Sequence, residues 1–251
     1  MFFKKFNRKF DGEYGKRAST MDCEQIDDLY LDGLKIIQKK GCFRYGTDAV
    51  VLSDFAKKFI KKGSTVLDVG TGTGIIPILL SAKTQANKLI GLEIQEEMAE
   101  LATRSVKMNE ENGVLEKDRI TIINGDITKA DEIFTGRSID AIVTNPPYKR
   151  KGAGILNDSS RLNIARHEIS CTLADIIKKS AYLLKNGGEF LMINHTERLA
   201  DAIEEMRKNK IEPKELQFVY SDINAKPILF LVRGVLFGGK NLVIEKGIEV
   251  K

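Results

Sequence analysis

The chain alternates between short apolar stretches and longer stretches in which apolar residues recur every three or four positions. A short apolar stretch bounded by polar residues or glycine predicts a buried strand, whereas the longer spacing predicts a helix with one apolar face. The predicted strands cover residues 64–69, 88–94, 119–124, 139–144, 188–194, 216–220 and 228–235, and residues 241–250 leave room for one more. The predicted helices cover residues 46–60, 95–112 and 197–208, and another helix begins near residue 75.

Strands and helices that follow one another in this way are typical of an α/β fold. The pattern predicts a mostly parallel sheet with helices on both faces, in a single domain without internal repeats. Pro213 is expected to act as a breaker between the 197–208 helix and the next strand. In the 95–112 helix, four apolar residues fall on one face and are expected in the core: Met98, Leu101, Ala102 and Val106.

Length and composition fit one globular domain. The 251 residues are 42% hydrophobic and 30% charged, which is enough to enclose one substantial core. No apolar run has the length of a membrane span, and early lysines and arginines interrupt any signal peptide, so we expect a cytoplasmic protein without a membrane partner. Cys23, Cys42 and Cys171 lack metal-site spacing, so we expect reduced thiols and no bound metal.

Positive charge is concentrated at the N-terminus. Residues 1–20 hold six Lys or Arg against two Asp or Glu, whereas the rest of the chain is close to neutral. With no clear apolar period, this composition predicts a mobile basic arm at residues 1–25, followed by one folded domain at residues 26–251. The arm could bind RNA phosphates, or it could be an ordinary disordered terminus.

The segment after the 139–144 strand is the most informative in the chain. Residues 145–148 read N-P-P-Y. The two prolines fix φ and remove two backbone donors, so they hold an amide and an aromatic ring in a stiff loop at a strand end. This arrangement indicates a pocket for a planar amino or amide group, although a proline-rich turn would give the same tetrapeptide.

A glycine-rich turn follows the 64–69 strand. Residues 70–74 read G-x-G-x-G, which predicts the first βα turn of a Rossmann-like sheet. Asp68, directly before the turn, would repel a pyrophosphate but accept an ammonium group, which favours S-adenosylmethionine. Glu93 ends the next strand, where it could accept from ribose hydroxyls, and Asp126 follows the third, where it could receive an adenine amino group. Each acid could instead be a helix cap or a solvated carboxylate.

Together these motifs resemble the class I S-adenosylmethionine-dependent methyltransferases of the amino-methylating N-P-P-Y type. The segments at 165–168 (A-R-H-E) and 197–200 (E-R-L-A) narrow the resemblance to the bacterial tRNA adenine-N6 methyltransferases that modify adenine 37 of valine tRNA. The match covers about residues 27–250 and includes the segment at 41–50. The resemblance implies a Rossmann-like, mostly parallel seven-stranded sheet with its last strand antiparallel. The family usually carries His-Arg before E-R-L, whereas this chain has N-H-T at 194–196.

The resemblance also implies roles for individual residues. Asn145 and the Pro146 carbonyl would accept the hydrogens of the target amino group, and Tyr148 would stack on the base. The implied cofactor-binding residues are Thr47, Asp68, Gly70, Gly72, Glu93, Asp126 and Asn145. A basic loop follows the motif, and its candidate RNA-binding residues are Lys149, Arg150, Lys151, Arg161, Arg166 and His167. That loop could also be a solvated surface segment, with its last two residues packed beneath it.

The expected function is therefore methylation of the N6 amino group of an adenine in tRNA, with S-adenosylmethionine as cofactor and no protein partner indicated. Three other functions remain open. The same pocket could methylate the side-chain amide of a glutamine in a peptide-release factor, or an adenine or guanine amino group in ribosomal RNA. A chain that kept the cofactor fold without turnover would be an RNA-binding module.

Overall fold

A computed structural model of the protein describes residues 24–39, 46–147 and 171–250. Within these ranges, the strands form one small antiparallel sheet and one eight-stranded sheet. The small sheet holds β1 (Glu24–Asp28) and β2 (Lys35–Lys39). The large sheet holds β3 (Thr65–Val69), β4 (Lys88–Glu93), β5 (Ile120–Asn124), β6 (Ile139–Thr144), β7 (Leu184–His195), β8 (Ile211–Tyr220), β9 (Leu229–Leu236) and β10 (Val243–Glu249).

The helices connect the strands of the large sheet. They are α1 (Thr47–Ala56), α2 (Ile75–Lys83), α3 (Glu96–Glu111), α4 (Ala130–Ile133), α5 (Leu173–Leu183) and α6 (Leu199–Lys208), with 3₁₀ turns at Ile127–Lys129 and Thr196–Arg198. The helix beginning at residue 75 and the helix predicted at 95–112 are confirmed. The helix predicted at 46–60 ends four residues early, at Ala56.

The strands of the large sheet lie in the order β10-β8-β9-β7-β6-β3-β4-β5. β9 runs antiparallel to its neighbours β7 and β8, and the other pairs in the sheet are parallel. The predicted α/β fold is confirmed: β3 to β9 are the seven expected strands, and the last of them is antiparallel. The eighth strand, β10, is the short one for which residues 241–250 left room.

The order of the strands reverses beside β3. The chain places β4 and β5 on one side of β3 and then returns to place β6 on the other side. In parallel α/β sheets, such a reversal leaves a crevice outside the carboxyl ends of the two central strands, because their connections leave in opposite directions. Here the crevice falls between the ends of β3 and β6.

Apolar side chains cover both faces of the large sheet. One face packs against α1 and α2 and includes Val66, Ala141 and Leu191. The opposite face packs against α5 and α6 and includes the next residues along two of the same strands, Ile142 and Met192. The expected arrangement, with helices on both faces, is thereby confirmed, and it leaves the sheet edge at the carboxyl ends of the strands for polar residues.

Pro213 lies inside β8, so the prediction that it separates a helix from a strand was wrong. Pro213 lies opposite Gly234 of β9, and the pairing of the two strands shifts its register between Pro213 and Glu215. Proline is tolerated at such an irregularity because its missing N–H interrupts the ladder where the ladder is already broken.

The hairpin of β1 and β2, which the apolar pattern did not predict, packs against α3. Ser105 accepts a hydrogen bond from the backbone N–H of Ile37 at 3.0 Å. Asn109 accepts from the backbone N–H of Lys35 at 2.9 Å and donates to its carbonyl at 2.7 Å. Arg104 forms a two-point ion pair with Glu24, at 2.9 and 2.7 Å. Glu24 and Gln25, predicted to belong to the basic arm, are therefore strand residues, while residues 1–23 lie outside the described ranges.

We predict that Asn109→Ala destabilises the protein by about 1–3 kcal/mol, because it leaves the half-buried N–H and carbonyl of Lys35 without their partner. Urea unfolding of the variant and the wild type measures the difference. Lys107→Ala, on an exposed position of the same helix, is the matched control and should change the midpoint little. Equal midpoints for both variants would show that the hairpin does not depend on Asn109.

Candidate functional site

The glycine-rich turn connects β3 to α2 at the crevice. Gly70, Gly72 and Gly74 all have positive φ, at 75°, 56° and 82°. A side chain would strain the backbone in this left-handed region, which explains the G-x-G-x-G spacing. A Cβ at Gly74 would also lie 3.2 Å from the Cβ of Ala102 on α3, so the third glycine permits close packing as well. The turn is tied to β4, because the N–H groups of Gly70 and Thr71 donate to the carbonyl of Leu92 at 2.9 and 3.1 Å.

Glu93, at the end of β4, holds the turn in place. One carboxylate oxygen accepts from the N–H of Gly72 at 2.9 Å and the other accepts from the N–H of Gln95 at 2.9 Å. The side chain is only 5% exposed. An ionised carboxylate offers about four acceptor positions, so these two bonds leave capacity for hydroxyl donors. Glu93 thus has a structural role in the turn that the sequence did not indicate.

Asp68 is buried at the end of β3 without a compensating partner. The residue is 1% exposed, and within the described ranges neither carboxylate oxygen has a hydrogen-bond partner, nor does the hydroxyl of Thr71. Burial raises the pKa of Asp68 to about 7; the Thr71 hydroxyl lies near enough to lower that pKa, although the pair does not have the geometry of a hydrogen bond, and the Glu93 charge raises it. A buried, unpaired carboxylate beside a tight turn is the environment that a cationic ligand group would stabilise.

The end of β5 continues the same edge. Asp126 is half-buried and caps the following 3₁₀ turn, with one oxygen accepting from the N–H of Thr128 at 2.8 Å. Asn124 donates its side-chain amide to the carbonyl of Glu93 at 2.9 Å, and the N–H of Gly125 donates to the same carbonyl at 2.9 Å. The capping role considered for Asp126 is therefore present, and it uses one of the two carboxylate oxygens.

The N-P-P-Y motif begins at the end of β6. The Thr144 hydroxyl donates to the carbonyl of Val69 at 2.9 Å, which ties the end of β6 to the end of β3 across the crevice. The next residue, Asn145, donates its side-chain amide to Asp48 of α1 at 2.9 Å. Pro146 is buried and Pro147 is exposed.

Thr47 and Asp48 are the first two residues of α1, and Asn145 contacts the second of them. Thr47 is exposed at the first position of the helix, and Asp48 follows it. Asp48 was not among the candidate site residues. It lies 97 positions from Asn145, so the only sequence signal was an acid in the first turn of a helix, within the segment 41–50 that carries the resemblance.

The predicted residues divide into three groups. Asp68, Gly70, Gly72 and Glu93 form one cluster around the glycine turn, and Asp126 follows on the neighbouring strand. Asn145 and Pro146 lie at the end of β6, where Asn145 contacts Asp48, the residue that follows Thr47 in α1. The remaining candidates lie outside the described residues: Tyr148, Lys149, Arg150, Lys151, Arg161, Arg166 and His167.

Neither a metal-binding cluster nor a membrane-spanning helix is found in the part of the chain that the structure describes. No group of three or more His, Cys, Asp or Glu is placed to hold a metal ion there. None of the helices described has the length and apolar character that crossing a membrane requires.

The fold and this edge define an α/β domain with a nucleotide-type cofactor site at the switch point of its sheet. Residues 60–226 match the family described as a methyltransferase domain, and the chain belongs to that family.

Individual relatives agree with this assignment. The chain is 31% identical over 171 residues to a tRNA1(Val) (adenine(37)-N6)-methyltransferase of Porphyromonas gingivalis, a match that covers 66% of this chain and 64% of that protein. It is 32% identical over 167 residues to the protein of the same name from Bacteroides thetaiotaomicron, covering 65% and 64%. The match thus spans a little under two thirds of either relative.

Among solved structures, the fold is similar to that of an Agrobacterium tumefaciens protein described as a predicted O-methyltransferase. The TM-score is 0.64 with 18% identity, over 80% of this chain and 86% of that one. At this identity the likeness concerns the fold, so the acceptor of the methyl group has to be argued from the site itself.

We predict that Asp68→Asn removes a pH-dependent penalty on folding. Because the pKa of Asp68 is raised from 3.8 to about 7 in the folded protein, stability falls as pH rises between these values and is constant above them. Between pH 5 and pH 8 the wild type should lose up to about 3 kcal/mol relative to the variant, at ~1.4 kcal/mol per pKa unit. Urea unfolding of both cofactor-free proteins at the two pH values tests this; parallel pH dependence would show that Asp68 is not the titrating group.

Proposed function

We propose that this protein uses S-adenosylmethionine to methylate the N6 amino group of an adenine in tRNA, namely adenine 37 of valine tRNA. One observation carries the proposal: the amide of Asn145 and the orphaned carboxylate of Asp68 lie at the ends of adjacent strands, on the two sides of one crevice. The names of the relatives from Porphyromonas gingivalis and Bacteroides thetaiotaomicron support the choice of acceptor. A tRNA substrate also implies a cytoplasmic protein.

The described residues fit the cofactor by charge and by shape. Asp68 would pair with the ammonium group, and this would supply the partner that its buried carboxylate lacks. The positive-φ glycines at 70 and 72 have no atom within 4 Å of an added Cβ, which fits a backbone open to a ligand. Glu93 would accept from ribose hydroxyls and Asp126 from the adenine amino group, each with the acceptor positions not used by the turns.

Bound in this way, S-adenosylmethionine supplies an electrophilic methyl group. The acceptor nitrogen is a poor nucleophile, because its lone pair is delocalised into the adenine ring, and it becomes positively charged as it reacts. The Asn145 side-chain oxygen and the Pro146 carbonyl would accept its two hydrogens, which directs the lone pair at the methyl group and stabilises charge that is greatest in the transition state. Tyr148 would stack on the base, an interaction worth ~1–3 kcal/mol.

No side-chain base is needed in this scheme. Once methylated, the nitrogen is cationic and acidic, so its proton can leave to water after the transfer. The requirement on the chain is therefore geometric: two carbonyl-type oxygens must be held at fixed positions beside the crevice. The burial of Pro146 and the hydrogen bond of the Asn145 amide at the end of β6 support this assignment.

The RNA-binding surface is a further part of the proposal. We place it on the basic loop that follows the catalytic motif, with contacts from Lys149, Arg150, Lys151, Arg161, Arg166 and His167. Structured RNA is held mainly through its phosphates, and the target base must leave its stack to reach the pocket. The basic segment at residues 1–23 would add non-specific attraction to the same polyanion, ahead of the folded domain, whose first strand begins at Glu24.

We expect the purified protein to transfer a labelled methyl group from S-adenosylmethionine to tRNA that lacks the modification, and nucleoside analysis should find N6-methyladenosine. Asn145→Ala should lower turnover by about 10²-fold or more while cofactor affinity stays nearly unchanged, since the amide acts on the acceptor. Asn87→Ala, at an exposed position beside the opposite edge of the sheet, is the control and should keep full activity. Label found only in a glutamine of release factor, or only in ribosomal RNA, would replace the proposed acceptor.

Neutralising the basic loop should weaken RNA binding through lost phosphate contacts. In a triple variant with alanine at Lys149, Arg150 and Lys151, the slope of log affinity against log salt should become shallower by about 2, at ~0.7–0.9 per contact. The matched control replaces three lysines beside the opposite edge of the sheet, at 61, 62 and 88, and should leave the slope unchanged. Equal slopes for the two triple variants would remove this loop from the RNA-binding surface.

A further inference from the structure

We propose that Asp48 is a positioning residue for Asn145: it fixes which end of the Asn145 amide faces the acceptor. This inference rests on the proposed function, because it assigns a role within the same methyl-transfer site. It concerns a contact between α1, which precedes the cofactor turn, and the loop after β6, and the two residues are 97 positions apart in the chain.

The contact is specific in its atoms. The Asn145 Nδ2 donates to Asp48 Oδ2 at 2.9 Å, while Asp48 Oδ1 accepts from the N–H of Ala49 at 2.9 Å. Both oxygens of the carboxylate are therefore engaged, one by the backbone of its own helix and one by the catalytic side chain. The first turn of a helix also favours a negative charge, because its free N–H groups point outward.

A carboxylate is the partner that makes the orientation of the amide unambiguous. An asparagine side chain has a donor end and an acceptor end of nearly the same shape, and a hydroxyl or another amide could pair with either. An ionised carboxylate accepts only, so it holds Nδ2 and directs Oδ1 away from itself. The proposed chemistry needs this result, since Oδ1 and not Nδ2 must meet the hydrogens of the acceptor amino group.

The charge adds to the orientation. A hydrogen bond to a carboxylate is stronger than one to a neutral acceptor, and it shifts electron density toward the far oxygen of the donor amide. Oδ1 of Asn145 then becomes a better acceptor at the moment when positive charge develops on the nitrogen it contacts. An arrangement set before the reaction begins needs no reorganisation during it.

Gly46 supplies an independent sign that the position of the Asp48 side chain is constrained. Gly46 has φ −94° and ψ 176°, an extended conformation open to any residue. A Cβ there would nevertheless lie 2.6 Å from Asp48 Oδ1, with Asp48 Cγ at 3.4 Å. The three atoms nearest this Cβ position all belong to Asp48. A side chain at 46 would thus displace the carboxylate from its observed position, whereas the backbone there would accept any residue.

The decisive experiment exchanges the two residues, with four proteins compared in steady-state methyl transfer: the wild type, Asp48→Asn, Asn145→Asp and the double variant. Asp48→Asn should lower kcat by about 10- to 100-fold and leave the KM for S-adenosylmethionine nearly unchanged, because it loosens the amide without touching the cofactor. Asn145→Asp should lose more, since it sets two carboxylates against each other. The double variant restores one donor and one acceptor with the roles reversed, and the acceptor again stands at 145.

We expect the double variant to regain at least about 10-fold in kcat over Asn145→Asp alone, as coupled positions do when a lost interaction is rebuilt. Wild-type kcat in Asp48→Asn, or no recovery in the double variant, would overturn the proposal. Thermal unfolding of all four proteins separates a folding defect from a catalytic one. If the wild type methylates release factor instead of tRNA, the proposed acceptor fails, and the same four proteins test the positioning on that substrate.

Gly46→Ala provides a second test that leaves both partners in place. In the wild-type background it should push the Asp48 carboxylate aside and lower kcat by about 10-fold or more. In an Asp48→Ala background the clash is absent, so the same change should have no further effect. An equal loss in both backgrounds would show that Gly46 acts independently of Asp48 and would contradict the inference.

Discussion

The site depends on one constraint, the hydrogen bonds to backbone carbonyls that join the carboxyl ends of four neighbouring parallel strands. The carbonyl of Leu92 receives the turn after β3, and the carbonyl of Glu93 receives the segment after β5. The Thr144 hydroxyl then links the end of β6 back to Val69. Because these bonds cross from strand to strand, the cofactor side and the acceptor side of the crevice are fixed relative to each other. The side chains proposed to bind the cofactor and the acceptor lie along this edge.

The two buried acids at this edge stand in contrast. Glu93 is paired with two backbone N–H groups and is part of the architecture of the turn. Asp68 is buried without a partner among the described residues, so folding alone leaves its desolvation uncompensated. The apolar packing on both faces of the sheet offsets that cost, and a cation in the crevice would remove it. Burial of Asp68 thus lowers the stability of the cofactor-free protein, and binding of a cationic group beside it would restore that stability.

Much of this could be predicted from the sequence, because it depends on local pattern. Apolar strands, positive-φ glycines and acids directly after strands all leave signals a few residues long, and they predicted the fold and the edge. The hairpin of β1 and β2 was missed because each strand has only five residues and polar or charged residues are the majority in both. Its stabilising partners, Ser105 and Asn109, lie on a helix far along the chain. Asp48 was missed because its partner, Asn145, is also distant in the chain, and the proposed role of Asp48 depends on that contact.

The bond between Asp48 and Asn145 also has a consequence for how the molecule assembles. It closes a loop that contains β3, β4, β5 and β6 with their helices, so the entropy of closing that loop must be overcome before the bond can form. Contacts of such long sequence separation follow the formation of the units between them. The glycine turn, by contrast, bonds to the strand that comes next in the chain. A nascent chain should therefore form its cofactor turn before the Asn145 amide is held in place, so the bond between Asp48 and Asn145 should form after the segments that lie between them.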